Sequence, residues 1–199
     1  MKATELELIP EFVRDVADLY RDMETAYDNT AKTLGFSCSG CPDNCCDSYF
    51  LHHTYTEWAY LWHGLKTIDA DRLQAIQKKA SEYVVGAESS LARGERPTIM
   101  CPLNSEGLCS LYPFRMMICR LHGVPTTFTR PDGKRMNFPG CFRCQEQNPG
   151  QKNITPLDRT GFFQRLVNLE LGLLGHRRPT APRVKLTIAQ MIVKGPPSL

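Results

Sequence analysis

Apolar positions recur at helical spacing in three long stretches of this chain. In the first, Ile9, Phe12, Val13, Val16, Leu19, Tyr20, Met23, Tyr27 and Leu34 share a face, and Pro10 stands where a first helical residue tolerates the missing N–H. This predicts a long amphipathic helix over residues 10–34, ending near Gly35. The second stretch opens at Asp69, a good N-cap, and runs through Leu73, Ile76, Ala80, Tyr83, Val84, Ala87 and Leu91 until Gly94 and Pro97 stop it. A helix over 70–92 follows. The third starts at Thr155 and Pro156 and carries Phe162, Phe163, Leu166, Val167, Leu169 and Leu173 to Gly175, predicting a helix over 156–174. Thr56 reads as the N-cap of a shorter helix bearing Trp58, Leu61 and Trp62 up to Gly64.

Between Ile99 and Cys144 the helical period gives way to short strands and turns. Asn104-Ser105-Glu106-Gly107 reads as a turn, and Pro131-Asp132-Gly133 joins Thr126–Thr129 to Lys134-Arg135-Met136 as a hairpin. The expected fold is mainly α with small irregular β hairpins, its helices placed around a cysteine-rich, metal-binding centre. The pattern is that of a single domain over 1–199, with a cysteine core at about 36–146 flanked by the helices 10–34 and 156–174. The tail from Arg177 holds four prolines and one short apolar stretch, Leu186 to Val193.

Charge narrows the function classes. The 24 basic and 21 acidic residues leave a formal +3, which gives no electrostatic case for a nucleic-acid partner. No apolar run reaches the length of a membrane span, and Met1-Lys2-Ala3-Thr4-Glu5 does not open like a signal peptide. The expectation is a cytoplasmic protein with no membrane partner, in which thiols stay reduced.

Nine cysteines then carry the chemistry. Cys38, Cys41, Cys45 and Cys46 stand within nine positions, with Gly40 and Pro42 suited to reversing the chain; Cys101, Cys109 and Cys119 follow, and Cys141 and Cys144 form a second CxxC. Thiolates so spaced converge on a soft ion or an iron–sulfur cluster. A tetrahedral Zn2+ site would draw on Cys38 with Cys41 and Cys141 with Cys144. A 4Fe-4S cubane would take Cys38, Cys41 and Cys45 or Cys46 from one loop and a fourth ligand from a distant segment. Either leaves thiols over, so two metal centres are expected unless some cysteines pack as small apolar residues. Cys119, inside an apolar run, fits core and ligand equally, and Cys46 fits a second centre or the core. The histidines show no metal-ligand spacing, although His122 follows Cys119 by three positions. Arg115, Arg120 and Arg143 lie beside candidate ligands, where they can donate hydrogen bonds to sulfur and offset negative charge.

The ordered set Cys38-x2-Cys41-x3-Cys45-Cys46, Cys101-Pro102-Leu103, Gly107-Leu108-Cys109-Ser110-Leu111-Tyr112, Arg115, Cys119-Arg120 and Pro139-Gly140-Cys141 resembles the YkgJ-like CxxCxxCC cysteine-cluster family. The resemblance covers about Cys38 to Cys144 and implies chelation of zinc or iron. Two positions depart from it: three residues precede the double cysteine, and Met116 follows Arg115 where a proline is usual. A related cysteine region in flagellin lysine N-methylases implies an iron–sulfur cluster and methyl transfer.

Three functions are therefore expected in turn: a 4Fe-4S protein for electron transfer or an accessory and maturation role with a protein or redox partner; a structural zinc module for protein interaction; and an iron–sulfur enzyme such as a protein methyltransferase. No glycine-rich nucleotide loop, Ser-His-Asp set or paired-carboxylate motif stands out, so catalysis is left open.

Overall fold

The computed structural model describes residues 4–39, 41, 45–149 and 155–199. Among them the fold is mainly α, with α1 (Pro10–Thr33), α2 (Tyr55–Leu65), α3 (Ala70–Ala92), α4 (Met117–Leu121), α5 (Phe142–Gln147), α6 (Thr160–Leu174) and α7 (Ile188–Lys194). Five short strands accompany them: β1 (Asn104–Ser105), β2 (Leu108–Cys109), β3 (Thr126–Thr129), β4 (Arg135–Phe138) and β5 (Leu157–Asp158). The expected mainly α class with small hairpins is the observed one. Contacts divide the chain into two units, one of Met1–Val13, Asp43–Arg115 and Glu170–Leu199, the other of Arg14–Pro42 and Met116–Leu169. No helix of the described residues is long and apolar enough to cross a membrane.

In the first unit α2 is buried on nearly every side, as expected of a helix apolar all round. Trp62 and Trp58 donate their indole N–H groups to the carbonyl oxygen of Met191 on α7, at 3.0 and 3.1 Å, and Trp58 also reaches Gly195 O at 2.9 Å. Ile76, Ala80, Tyr83 and Ala87 form the buried face of α3 as its period predicts, while Leu91, expected on that face, is exposed. Asp69 caps α3 through Arg72 N–H at 2.8 Å. The N-cap of α2 is Thr54 rather than Thr56. Thr56 is fully buried, and its hydroxyl and N–H are both taken by Glu170 Oε2, at 2.7 and 2.8 Å, which draws it into the helix. The apolar stretch in the tail is α7, opened by a capping box between Thr187 and Gln190.

In the second unit Val16, Leu19, Tyr20 and Met23 of α1 are buried with Leu121, Val124, Leu157 and Leu166. α1 ends in a Schellman turn: Gly35 N–H donates to Lys32 O at 3.1 Å, Phe36 N–H to Ala31 O at 2.9 Å, and Gly35 takes φ +61. β3 lies at the centre of a three-stranded sheet, antiparallel to β4 and parallel to β5. The last long helix starts at Thr160, later than residue 156. Leu157 and Arg159 donate backbone N–H groups to Pro125 O and Thr127 O, both at 3.0 Å, so the chain is committed to strand pairing there before Asp158 accepts the Thr160 N–H at 2.9 Å. The stretch from 99 to 144 also contains the short helices α4 and the first part of α5, where only strands and turns were expected.

Candidate functional site

The nine cysteines are all reduced, and they fall into two groups, each within one unit. The first unit holds Cys45, Cys46, Cys101 and Cys109; the second holds Cys38, Cys41, Cys119, Cys141 and Cys144. The reversal expected at Gly40 and Pro42 lies outside the described residues.

Backbone geometry builds the first group. Cys45 and Cys46 stand on a single 3-10 turn, closed by Ser48 N–H on Cys45 O at 3.2 Å. The Cys101 N–H donates to Cys46 O at 2.9 Å, and Asn104 N–H returns to Cys101 O at 2.9 Å. Strands β1 and β2 then pair Asn104 with Cys109 across a two-residue turn in which Glu106 and Gly107 take φ +52 and +86. Positive φ at both central residues is the type I′ geometry that matches strand twist. The thiols interact. A hydrogen bond with the Cys45 thiol, helped by Asn104 and by the charge of Arg115, pulls the Cys46 thiol down to about 6. Burial pushes Cys101 up to about 12, with further increments from Cys46 and Cys109. Tyr83 of α3 faces the same group, its phenol pushed up to about 12 by burial and then by Cys101 and Tyr49. Arg115 packs its guanidinium 3.6 Å from the Tyr112 ring centre.

The second group joins the two CxxC segments. Cys41 N–H donates to Cys38 O at 3.2 Å, while Cys141 caps α5 with its own sulfur, accepting the Cys144 N–H at 3.4 Å. Cys144 is buried, and its thiol is raised first by burial and then by Cys141 and Cys38. Tyr27 of α1 brings its hydroxyl to 3.4 Å from Cys38 Sγ, and its phenol is raised by burial first, then by Cys38, Cys141 and Cys144. Cys119 is half-buried on α4. Its neighbour Arg120 is buried and directs its guanidinium to Glu24, at 3.5 Å, and over the Tyr20 ring, at 4.5 Å. Arg143 pairs with Glu146 at 3.2 Å.

From the sequence, Tyr27 and Tyr83 are apolar-face positions and Asn104 a turn residue, and none of the three is expected beside a thiol. Their only advance signal is a polar tip on a helix or turn that leads to cysteines. Among the described residues no three His, Cys, Asp or Glu side chains stand close enough to hold a metal ion as placed. The fit to a metal is therefore one of donor chemistry: both groups are built from thiols in mutual electrostatic contact, the donor type that selects zinc or iron–sulfur clusters. No protein-family model, curated protein or solved structure matches this chain.

Proposed function

We propose that the protein is a cytoplasmic metal-binding cysteine-cluster protein with two thiolate centres, one drawn from Cys45, Cys46, Cys101 and Cys109 and the other from Cys38, Cys41, Cys141 and Cys144. One observation carries this reading: each unit contributes at least four cysteines, and the thiol-to-thiol interactions run within each group. Four is the number of protein ligands that either a structural zinc ion or a 4Fe-4S cluster takes. Binding would draw the thiols of each group inward, so that metal affinity adds to folding stability.

A 4Fe-4S cluster in this setting would supply one-electron chemistry for a redox partner or serve an accessory, maturation role. The resemblance to the CxxCxxCC family and to the cysteine region of flagellin lysine N-methylases supports iron, and methyl transfer remains the enzymatic version of that reading. Zinc is the second reading, favoured by a specific arrangement: Cys38 and Cys41 share the second group with Cys141 and Cys144, the pairing of two CxxC segments common in structural zinc sites. Elemental analysis and absorption spectroscopy of anaerobically purified protein test both. Brown protein with iron and acid-labile sulfide supports the cluster, colourless protein with about two zinc ions per chain supports the zinc module, and protein with neither metal overturns the proposal.

A further inference from the structure

We propose that Tyr27 is a positioning residue for the second thiol group, donating its phenolic O–H to the sulfur of Cys38 and so fixing where that sulfur sits and how tightly it holds a metal. This rests on the two-centre reading above, and it adds a residue that lies on α1, outside the cysteine motif.

Three observations converge on the phenol. The Tyr27 hydroxyl is 3.4 Å from Cys38 Sγ, and against a thiolate, which has only lone pairs to offer, the phenol is necessarily the donor. The route of the chain explains how the two meet. Tyr27 and Ala31 are four residues apart and share a helix face, and the Schellman turn at Gly35 folds Phe36 back onto Ala31 through the N–H to O bond at 2.9 Å. Two residues later the chain presents Cys38 to the preceding turn of the same face, where Tyr27 waits.

The phenol also lies against Gly123, the residue to which the other CxxC segment is tied. Gly123 takes φ +127, and a Cβ built on it would fall onto the Tyr27 hydroxyl, so only glycine leaves room for the ring's tip. That same Gly123 accepts the N–H of Cys141 at 2.8 Å, and Gly140 approaches it so closely that a Cβ there would stand 2.5 Å from Gly123 O. The Tyr27 hydroxyl therefore lies beside the Cys38 sulfur and beside Gly123, whose carbonyl holds the Cys141 N–H. Hydrogen bonds from outside the ligand set orient metal ligands and tune their donor strength, and losing one typically costs about 10- to 100-fold in affinity.

Cobalt(II) titration of anaerobic, metal-free protein tests the proposal, because sulfur-to-cobalt absorption reports on the ligand's lone pairs. Tyr27→Phe keeps the ring and removes the donor. One of the two cobalt-binding events should weaken by about 10- to 100-fold, and its absorption should move to longer wavelength, since a sulfur stripped of its donor gives up electron density more readily. The other event should be unchanged, and Tyr20→Phe on the same helix should alter neither spectrum. Wild-type affinity and spectrum in Tyr27→Phe would overturn the proposal while leaving the two centres standing. Weaker binding with an unmoved band would reduce Tyr27 to packing and overturn it equally. A wild-type protein that takes up no cobalt would overturn the two-centre reading itself.

Discussion

The backbone N–H of Cys101 donates to the carbonyl oxygen of Cys46 at 2.9 Å, so two cysteine segments far apart in sequence are tied by main chain as well as by their side chains. A substitution at either sulfur leaves that tie in place. Its effect should accordingly be read in metal content before it is read in folding.

Cys46→Ser exchanges a soft thiolate for a hydroxyl of poor affinity for zinc or iron. On the two-centre proposal, total metal should fall to about half, and Cys41→Ser should remove the other half. Metal analysis of the two single variants and their double checks this. Full loss in either single variant would mean one shared centre.

His52 is buried between its own strand-like bridge to Leu186 and the neighbouring His53, and burial first, then His53, pushes it from 6.5 down to about 3. The unfolded chain then binds a proton that the folded one refuses between those values. The contribution of His52 to stability should be flat above pH 6.5 and decline by roughly 1.4 kcal/mol per pH unit as pH falls towards 3. Urea unfolding across that range should show a shallower acid decline for His52→Gln than for wild type.

Glu170 accepts Tyr55 N–H at 2.9 Å together with the N–H and hydroxyl of Thr56. Glu170→Ala strands three donors at the start of α2, two of them on Thr56, which has no solvent exposure. A loss of about 1–3 kcal/mol is expected, with Glu170→Gln falling between. Chemical denaturation at fixed metal load measures it.

Gly64 sits against the Phe114 ring, and an added Cβ would clash with its Cγ. Gly64→Ala should force α2 off the 3-10 turn at Tyr112–Phe114 at a cost of about 1–3 kcal/mol. Gly172→Ala on α6, with open space at the Cβ position, should be neutral or mildly stabilising in the same assay.

The long helices were legible because their signal is local. Asp69 with Ile76, Ala80, Tyr83 and Ala87 encodes cap, period and buried face within a few turns, and the structure keeps all of them. Gly35 at the end of α1 and the β3–β4 hairpin were readable for the same reason, each being a short-range backbone requirement. The element type of α7 was not. Its seven residues follow a proline-rich stretch, and part of what holds them is the pair of indole N–H groups of Trp58 and Trp62, remote in sequence.

By itself the sequence determined a mainly helical frame carrying nine cysteines grouped along the chain, because cysteine spacing and apolar period are both written in neighbouring positions. Which thiol meets which was decided by tertiary structure. Cys46 interacts with Cys45 and Cys101, and Cys101 with Cys109, whereas Cys144 interacts with Cys141 and Cys38, and nothing in their spacing favours that division over a single four-cysteine loop. The same holds for Thr54 and Thr56, two residues equally able to cap a helix, between which Glu170 chooses by taking the Thr56 hydroxyl. It holds again for Tyr27, whose place on an apolar face says nothing of its oxygen until the turn at Gly35 returns Cys38 to it. Local pattern encodes elements, but a contact between distant side chains exists only once the segments carrying them have packed.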